Sequence, residues 1–301
     1  MRKKNGHPVS DSFPDKVFNV TITIITFIFI ILCAYPLIYV VSASFSDPMD
    51  IFAGKVWLLP SSPTLKGYKT VLDYPDVWIG YGNSVFYTVF GTLINVFMTV
   101  LAAYPLSRKD LKYRKPIIML FTFTMLFNAG MIPNYLLIRD LHLLNTRWAL
   151  LIPGAISVYN MIIVRTFFMS NIPDELLESA RLDGCSDFRF LLNIVLPLSG
   201  AVIAVITLYY AVGHWNQYFN AVLYLTDKNT YPLQVFLRNI LLENSINDLS
   251  AGSVVNESER TYLNELLKYS LIVVASAPLL AVYPFIQKYF VKGVMIGAVK
   301  G

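Results

Sequence analysis

Residues 173–197 read Pro173-Asp174-Glu175-Leu176-Leu177-Glu178-Ser179-Ala180-Arg181-Leu182-Asp183-Gly184-Cys185-Ser186-Asp187-Phe188-Arg189-Phe190-Leu191-Leu192-Asn193-Ile194-Val195-Leu196-Pro197. The first half spells a short helix. Pro173 suits its first turn, Asp174 and Glu175 favour the positive end of the helix dipole, and Gly184 permits a left-handed stop. Leu176, Leu177 and Ala180 fall on one face. After the turn, Ser186 can cap a second helix on which Phe188, Leu191, Leu192 and Val195 share a face. Residues 174–190 hold Asp174, Glu175, Glu178, Asp183 and Asp187 against only Arg181 and Arg189. An anionic lipid leaflet repels such an acidic helix, so a groove in another protein is its natural seat.

This segment lies between long apolar blocks. Of the 301 residues, 55% are hydrophobic and 14% charged, where a soluble domain carries roughly 25% charged residues; the mean hydropathy is +0.55. The apolar residues fall in six blocks, 17–42, 81–106, 117–137, 148–164, 198–225 and 269–287, and about 20 such residues span a bilayer core. A soluble enzyme is excluded, and an all-α polytopic membrane protein with six transmembrane helices is expected. The fourth block is the shortest and is interrupted by Pro153-Gly154. The first follows Arg2, Lys3 and Lys4 as a signal peptide would. It far exceeds a signal's apolar core of about 7–15 residues, so it reads as a retained span. The chain then divides into a tail (1–16), the first span with an outer loop (17–80), a core of five spans (81–287) and a second tail (288–301). Within the core, 173–197 and 226–268 are the long connections.

Charge fixes the expected orientation. With the N-terminus inside, segments 1–16, 107–116, 165–197 and 288–301 carry 15 Lys and Arg residues, against 9 in the outer segments. Arg108, Lys109, Lys112, Arg114 and Lys115 crowd one short loop, where the positive-inside rule acts most strongly. The basic surplus is therefore a topology signal and not a nucleic-acid footprint, and both termini are expected in the cytoplasm. Two cysteines, Cys33 and Cys185, make no disulfide framework, and His7, His142 and His214 lack ligand spacing. No metal site is expected. Gly54-Lys55 is followed by Val56, so no phosphate-binding loop is present.

Apart from His214, the six blocks contain no Asp, Glu, Lys, Arg or His. Ion-coupled carriers place such groups at membrane depth, so the driving force is expected from outside. Neutral polar residues do occur there, among them Asn83, Asn95, Asn128, Tyr159 and Asn160. Each reads either as helix–helix hydrogen bonding or as lining of a path. The fifth block is the densest. Tyr210, His214 and Tyr218 recur every four residues, with Trp215, Gln217, and Asn216 and Asn220 beside them. Aromatic platforms next to amides suit sugar rings; an interfacial aromatic belt has the same composition. Outside, 226–268 contains a short apolar helix candidate at 231–238.

Glu178-Ser179-Ala180, three residues, Gly184, nine residues and Ile194-x-Leu196-Pro197 resemble the EAA signature of bacterial ABC importer permeases, EAA-x3-G-x9-I-x-LP. Ser179 is the one departure, and it is small. Leu59-Pro60, Asn83-Ser84, Ala103-Tyr104-Pro105-Leu106-Ser107, Trp215-Asn216-x-Tyr218 and the tail from Gln287 to Gly301 extend the likeness over nearly the whole chain. Carbohydrate importers are the most similar, above all the oligosaccharide group with alginate and pectin-fragment permeases and the maltose importer's second membrane subunit. The resemblance implies the type I (MetI-like) permease fold and a bacterial inner-membrane location. Leu176, Leu177, Glu178, Ser179, Ala180, Asp183 and Gly184 would form a coupling helix seated on a separate ATPase. The substrate path would draw on Asn83, Asn160, Tyr210, His214, Trp215, Asn216, Gln217, Tyr218 and Asn220. Lys292, Gly297 and Lys300 of the tail would reach the ATPases. Partners would be a homologous second permease, two ATP-binding subunits that hold ATP and Mg, and an extracytoplasmic solute-binding protein meeting 226–268. This chain itself would carry no cofactor and no catalysis. The alternative, a self-sufficient secondary carrier or channel, leaves the acidic loop unexplained.

Overall fold

The computed structural model describes residues 13–242 and 257–298, of which the great majority are helical; among them no strand forms. They divide into two compact units.

The first unit holds the described residues of Met1–Lys69 and Val255–Val273. Helix α1 (Phe13–Ser44) is 32 residues long and buries only Ser42, Ala43 and Ser44. Its bare apolar sides are what a helix in lipid requires, and its polar residues are satisfied locally. Thr21 and Thr23 donate to the carbonyls of Val17 and Asn19, four residues back, so neither hydroxyl is left open to hydrocarbon. A short strap follows. Asp47 caps α2 (Pro48–Phe52) by accepting from the Met49 N–H, and α3 (Lys66–Leu72) begins at the strap's end. Ser44 Oγ and Tyr68 Oη share a 2.6 Å hydrogen bond, and Tyr262 Oη donates to Asp47.

The second unit is built on α4 (Pro75–Ser107), 33 residues long. Its buried face runs Val77, Gly80, Ser84, Tyr87, Gly91, Asn95, Thr99 and Ala103, a helical spacing occupied mostly by small residues. Helices pack closely in membranes through such faces. An added Cβ at Gly80 would lie 2.9 Å from the Phe236 ring, and one at Gly91 would run into the His214 ring. Around α4 stand α5 (Arg114–Leu126), α6 (Met131–Asp140), α7 (Trp148–Leu151) and α8 (Val158–Asn171). Next come α9 (Asp174–Leu182) and α10 (Asp187–Phe190), which runs through a π-helical turn (Leu191–Val195) into α11 (Leu196–Leu198). Then follow α12 (Gly200–Trp215), α13 (Phe219–Tyr224), α14 (Leu233–Leu242) and α15 (Glu257–Ala298), which begins in the first unit.

The six apolar blocks all become helical, but not as six straight spans. Three helical stretches are long and apolar enough to cross a membrane alone: Phe13–Ser44, Pro75–Ser107 and Asn264–Pro284. Two bent pairs raise the count to five among the described residues. The third block bends by 113° between α5 and α6. Asn128 Oδ1 accepts from the Gly130 N–H, and Gly130 takes φ +89°, a turn that apolarity does not reveal. The fourth block is broken at Pro153-Gly154 into α7 and α8, with Ser157 capping α8. At the start of the fifth, Leu198 and Gly200 are joined through Ser199 at an 85° bend. The helix candidate at 231–238 forms as α14.

Candidate functional site

The segment 173–197 folds as a helix, a turn and a second helix. Pro173 occupies the N-cap position in extended backbone, one place before the expected first turn, and α9 ends at a left-handed Gly184 with φ +74°. Among the described residues, no atom beyond the two flanking residues lies within 4 Å of an added Cβ at Gly184. Its glycine therefore answers a backbone need and no close contact with the described residues. Of the expected apolar face only Ala180 is buried. Leu177 leans on the core, while Leu176 is exposed and Leu182 is 89% exposed. Ser186 caps α10 as expected, accepting from the Arg189 N–H. The second face needs correction: Phe188 and Leu192 are exposed, and Phe190, Leu191 and Val195 are buried. The π-helical turn explains this. Its wider bonding places five-residue neighbours such as Phe190 and Val195 on one side, so a 3.6-residue period fails there.

An ionic cluster anchors this segment. The Arg108 guanidinium, just past the end of α4, donates to both oxygens of Asp110 at 3.0 and 2.7 Å and to Asp187 Oδ1 at 3.0 Å. Arg181, in the last turn of α9, donates to Asp110 Oδ2 at 2.9 Å. Lys109 Nζ lies 2.5 Å from Asp174 Oδ2 at the start of α9. Glu175, Glu178 and Asp183 make no salt bridge among the described residues, so the outward side of α9 stays acidic. In the sequence Arg108 and Lys109 register only as topology charges. Their partners lie 79 and 65 residues away, and only Tyr104, in the Ala-Tyr-Pro-Leu-Ser motif, flagged the place.

The Arg108–Asp110 pair holds its charges over a wide pH range. Hydrogen bonds from Arg108 hold the Asp110 carboxyl well below the usual range, with desolvation opposing and Arg181 assisting. Asp110 in turn holds Arg108 above its ordinary value, against desolvation. A depressed carboxyl pKa adds stability above its unfolded value and loses it as pH falls through the folded one. A raised guanidinium pKa loses its contribution only above its unfolded value. Asp110→Asn is therefore expected to lower the melting temperature of the purified complex by an amount constant from about pH 5 to about pH 9, and by less below about pH 4. A difference that varies between neutral and mildly acidic pH would contradict this.

The polar residues of the membrane blocks gather mostly in a seam between α4 and its neighbours. His214 Nε2 lies 2.6 Å from Asn95 Oδ1, and the Asn95 amide donates to the Gly154 carbonyl. Because the Asn95 amide nitrogen is the donor to Gly154, its oxygen faces the imidazole, and Nε2–H is the donor there. Tyr210 Oη accepts from the Ser157 N–H and shares a 2.6 Å bond with Thr99. Trp215 Nε1 donates to the Ala275 carbonyl at 3.0 Å, and its ring meets Tyr81 edge-on. Asn83 donates to the carbonyls of Asn229 and Tyr231 and accepts from Arg147. Asn160 is buried in the first turn of α8.

These placements separate the expected path residues. Tyr210, His214, Trp215, Asn83 and Asn160 are buried, and the first four tie helices and loops together. Asn216, Tyr218 and Asn220 are exposed and Gln217 is half-buried. Tyr218 does not continue the Tyr210–His214 stripe. α12 stops at Trp215, and Tyr218, with φ −127°, opens α13. Lys292 and Gly297 lie on the helical backbone of α15, which runs on through most of the expected tail; Lys300 lies outside the described residues.

Among the described residues, a helical membrane unit thus holds a short acidic helix on an ionic anchor. The chain belongs to the family of binding-protein-dependent transport system inner membrane components, whose model matches residues 9–296. It is thus an integral membrane permease component of an ABC importer. The polygalacturonan/rhamnogalacturonan transport system permease protein YtcP of Bacillus subtilis (strain 168) is 41% identical over 292 residues, covering 95% of this chain and 99% of that protein. Protein LplC of the same organism is 42% identical, covering 88% of this chain and 89% of LplC. Among solved structures, a chain of a bacterial ABC transporter involved in the import of the acidic polysaccharide alginate superimposes with a TM-score of 0.84 at 35% identity, over 93% of this chain and 99% of that one.

Proposed function

We propose that this chain forms half of the translocation path of an ATP-driven oligosaccharide importer and receives its driving force through α9. The observation that carries this reading is the posture of α9: an acidic helix with Leu176 and Leu182 bare, ended by a left-handed glycine. Such a helix is complete only against a partner, and a groove in a separate ATPase supplies one. Glu178 would meet a basic group there. The orientation follows the basic residues, with both termini and α9 in the cytoplasm. ATP and Mg belong to two ATPase subunits, a homologous second permease completes the path, and the outer segment 226–268 meets a solute-binding protein. Lys292, Gly297 and Lys300 reach toward the ATPases. The names of YtcP and of the alginate transporter support an acidic, uronate-containing oligosaccharide.

Closure of two ATPases would shift their grooves and swing the helix bundles between inward- and outward-open states. The exposed set at the α12–α13 break, Asn216, Tyr218 and Asn220, is the part of the fifth block placed to meet sugar hydroxyls. In the reconstituted complex with its binding protein, pectin and alginate fragments should stimulate ATP hydrolysis. Tyr218→Ala should weaken uptake with assembly and melting temperature unchanged. Trp215→Ala should lower stability, because truncating a buried tryptophan costs about 3–5 kcal/mol. Unchanged uptake in Tyr218→Ala would leave that residue as an interfacial aromatic.

A further inference from the structure

We propose that Arg108 is a positioning residue that passes the movement of α9 to α4. With Asp110, Arg181 and Asp187 it forms a clamp joining the coupling helix to the end of α4, the helix on which the second unit is built. The proposal rests on the coupling-helix reading given above.

Packing alone holds α9 weakly. Ala180 is its one buried residue, and behind the helix lies a cavity of about 210 Å³ lined by Tyr104, Ser107, Arg108, Phe168, Asp174 and Leu177, among others. On the side that faces this open cleft the helix has few opposing atoms, so steric contact transmits less there. Besides the packing of Ala180 and Leu177 on the core, the routes for force are the chain ends at 173 and 184 and the side-chain links. Those links meet both ends of α9. Lys109 holds Asp174 at its start, and Asp110 holds Arg181 in its last turn. Lys109 and Asp110 follow almost directly on the last residue of α4, Ser107.

Arg108 is the centre of the clamp. Its side chain is 12% exposed, while those of Asp110 and Asp187 are 50% and 60% exposed. It binds Asp110 through two parallel bonds, Asp187 through a third, and Tyr104 Oη at 3.0 Å through a fourth. Tyr104 Oη itself donates to the Asp187 carbonyl at 3.3 Å. An exposed ion pair is weak and loose, whereas a planar fork bound at several points fixes direction as well as distance. Lysine, a single rotating point charge, cannot reproduce that fork. Two more arginines secure the end of α4. Arg165 Nε donates to the Leu106 carbonyl, and Arg114 to the Arg108 carbonyl. The clamp therefore pulls on a rigid helix whose buried face carries Asn95, Thr99 and Gly91, the seam against α12 and α8.

The test uses the complete complex with its binding protein in proteoliposomes, reading oligosaccharide imported per ATP hydrolysed. Arg108→Gln should retain the ATPases but lower that ratio about tenfold, within the usual range for a coupling between sites. Arg108→Lys should restore part of it, and Asp110→Asn should reduce it. The Arg108→Gln, Asp110→Asn double variant should be no worse than the poorer single one. A normal ratio in Arg108→Gln overturns the clamp. If that variant fails to assemble, a normal ratio in Asp110→Asn overturns it instead. Leu182→Asp, on the bare side of α9, separates the two claims. Loss of the ATPases there beside a normal ratio in the clamp variants removes the clamp alone. Retained ATPases and normal uptake in Leu182→Asp remove the coupling-helix reading and the clamp with it.

Discussion

Gly184→Val is expected to reduce binding-protein-dependent uptake roughly tenfold or more, while Gly184→Asn keeps most of it. Gly184 holds φ +74° at the end of α9. A left-handed conformation costs an ordinary residue roughly 1–2 kcal/mol, and a β-branched one is a genuine outlier there. Asparagine adopts this region readily. The turn sets the angle at which α9 leaves the second helix, so a strained turn re-aims the helix and spoils its fit in a preorganised groove. Because no described atom beyond the two flanking residues lies within 4 Å of a Cβ at this position, the demand on Gly184 among the described residues is one of backbone conformation. Uptake, ATPase retention and membrane insertion should be measured for Val, Ala and Asn variants. If Asn and Ala are both as damaging as Val, the requirement is close approach of a partner and not the backbone angle. Full uptake in Gly184→Val would remove the turn from the mechanism.

Gly91→Ala is expected to destabilise the complex by several kcal/mol, a larger effect than a single methyl normally has. The new Cβ would stand within 2.7 Å of three atoms of the His214 ring. The ring is held by its 2.6 Å bond to Asn95, so it cannot swing away without breaking that bond. Overpacking costs about 1–3 kcal/mol, and a buried polar group left unpaired costs about 1–3 kcal/mol more. No water is at hand in the bilayer core to repair the loss. The melting temperature of the detergent-solubilised complex should fall sharply, and His214→Ala in the same chain should recover part of it by removing the obstructing ring. Equal stability of Gly91→Ala and the parent would mean that α4 and α12 are not locked at this point.

Much of α9 is legible in its own residues. Acidic residues at its start, the glycine stop and the Ser186 cap are local signals, decided by backbone conformation and nearby donors. The π-helical turn at 191–195 is not legible, because its bonding departs from the period by which helical faces are read. Nor are the bends at Gly130 and Ser199 visible inside uniformly apolar blocks, where hydropathy measures solubility in lipid and not direction. Tyr210, His214 and Tyr218 show the same limit. Their four-residue spacing holds only while the helix continues, and it ends at Trp215.

By itself the sequence determined that the chain is a membrane protein, that its spans lack ionisable Asp, Glu, Lys, Arg and His side chains apart from His214, that its basic residues are segregated, and that one acidic helix between them ends in a glycine. Each follows from composition and short-range spacing, which act on the chain before it folds. Only the tertiary structure decided which polar residues are ties and which stand open, that Arg108 gathers Asp110 and Asp187, and that an open cleft lies beside α9. Most of these contacts join residues 60 to 148 positions apart in the chain. Pairing at that distance is settled by how whole helices pack, and no local pattern records it.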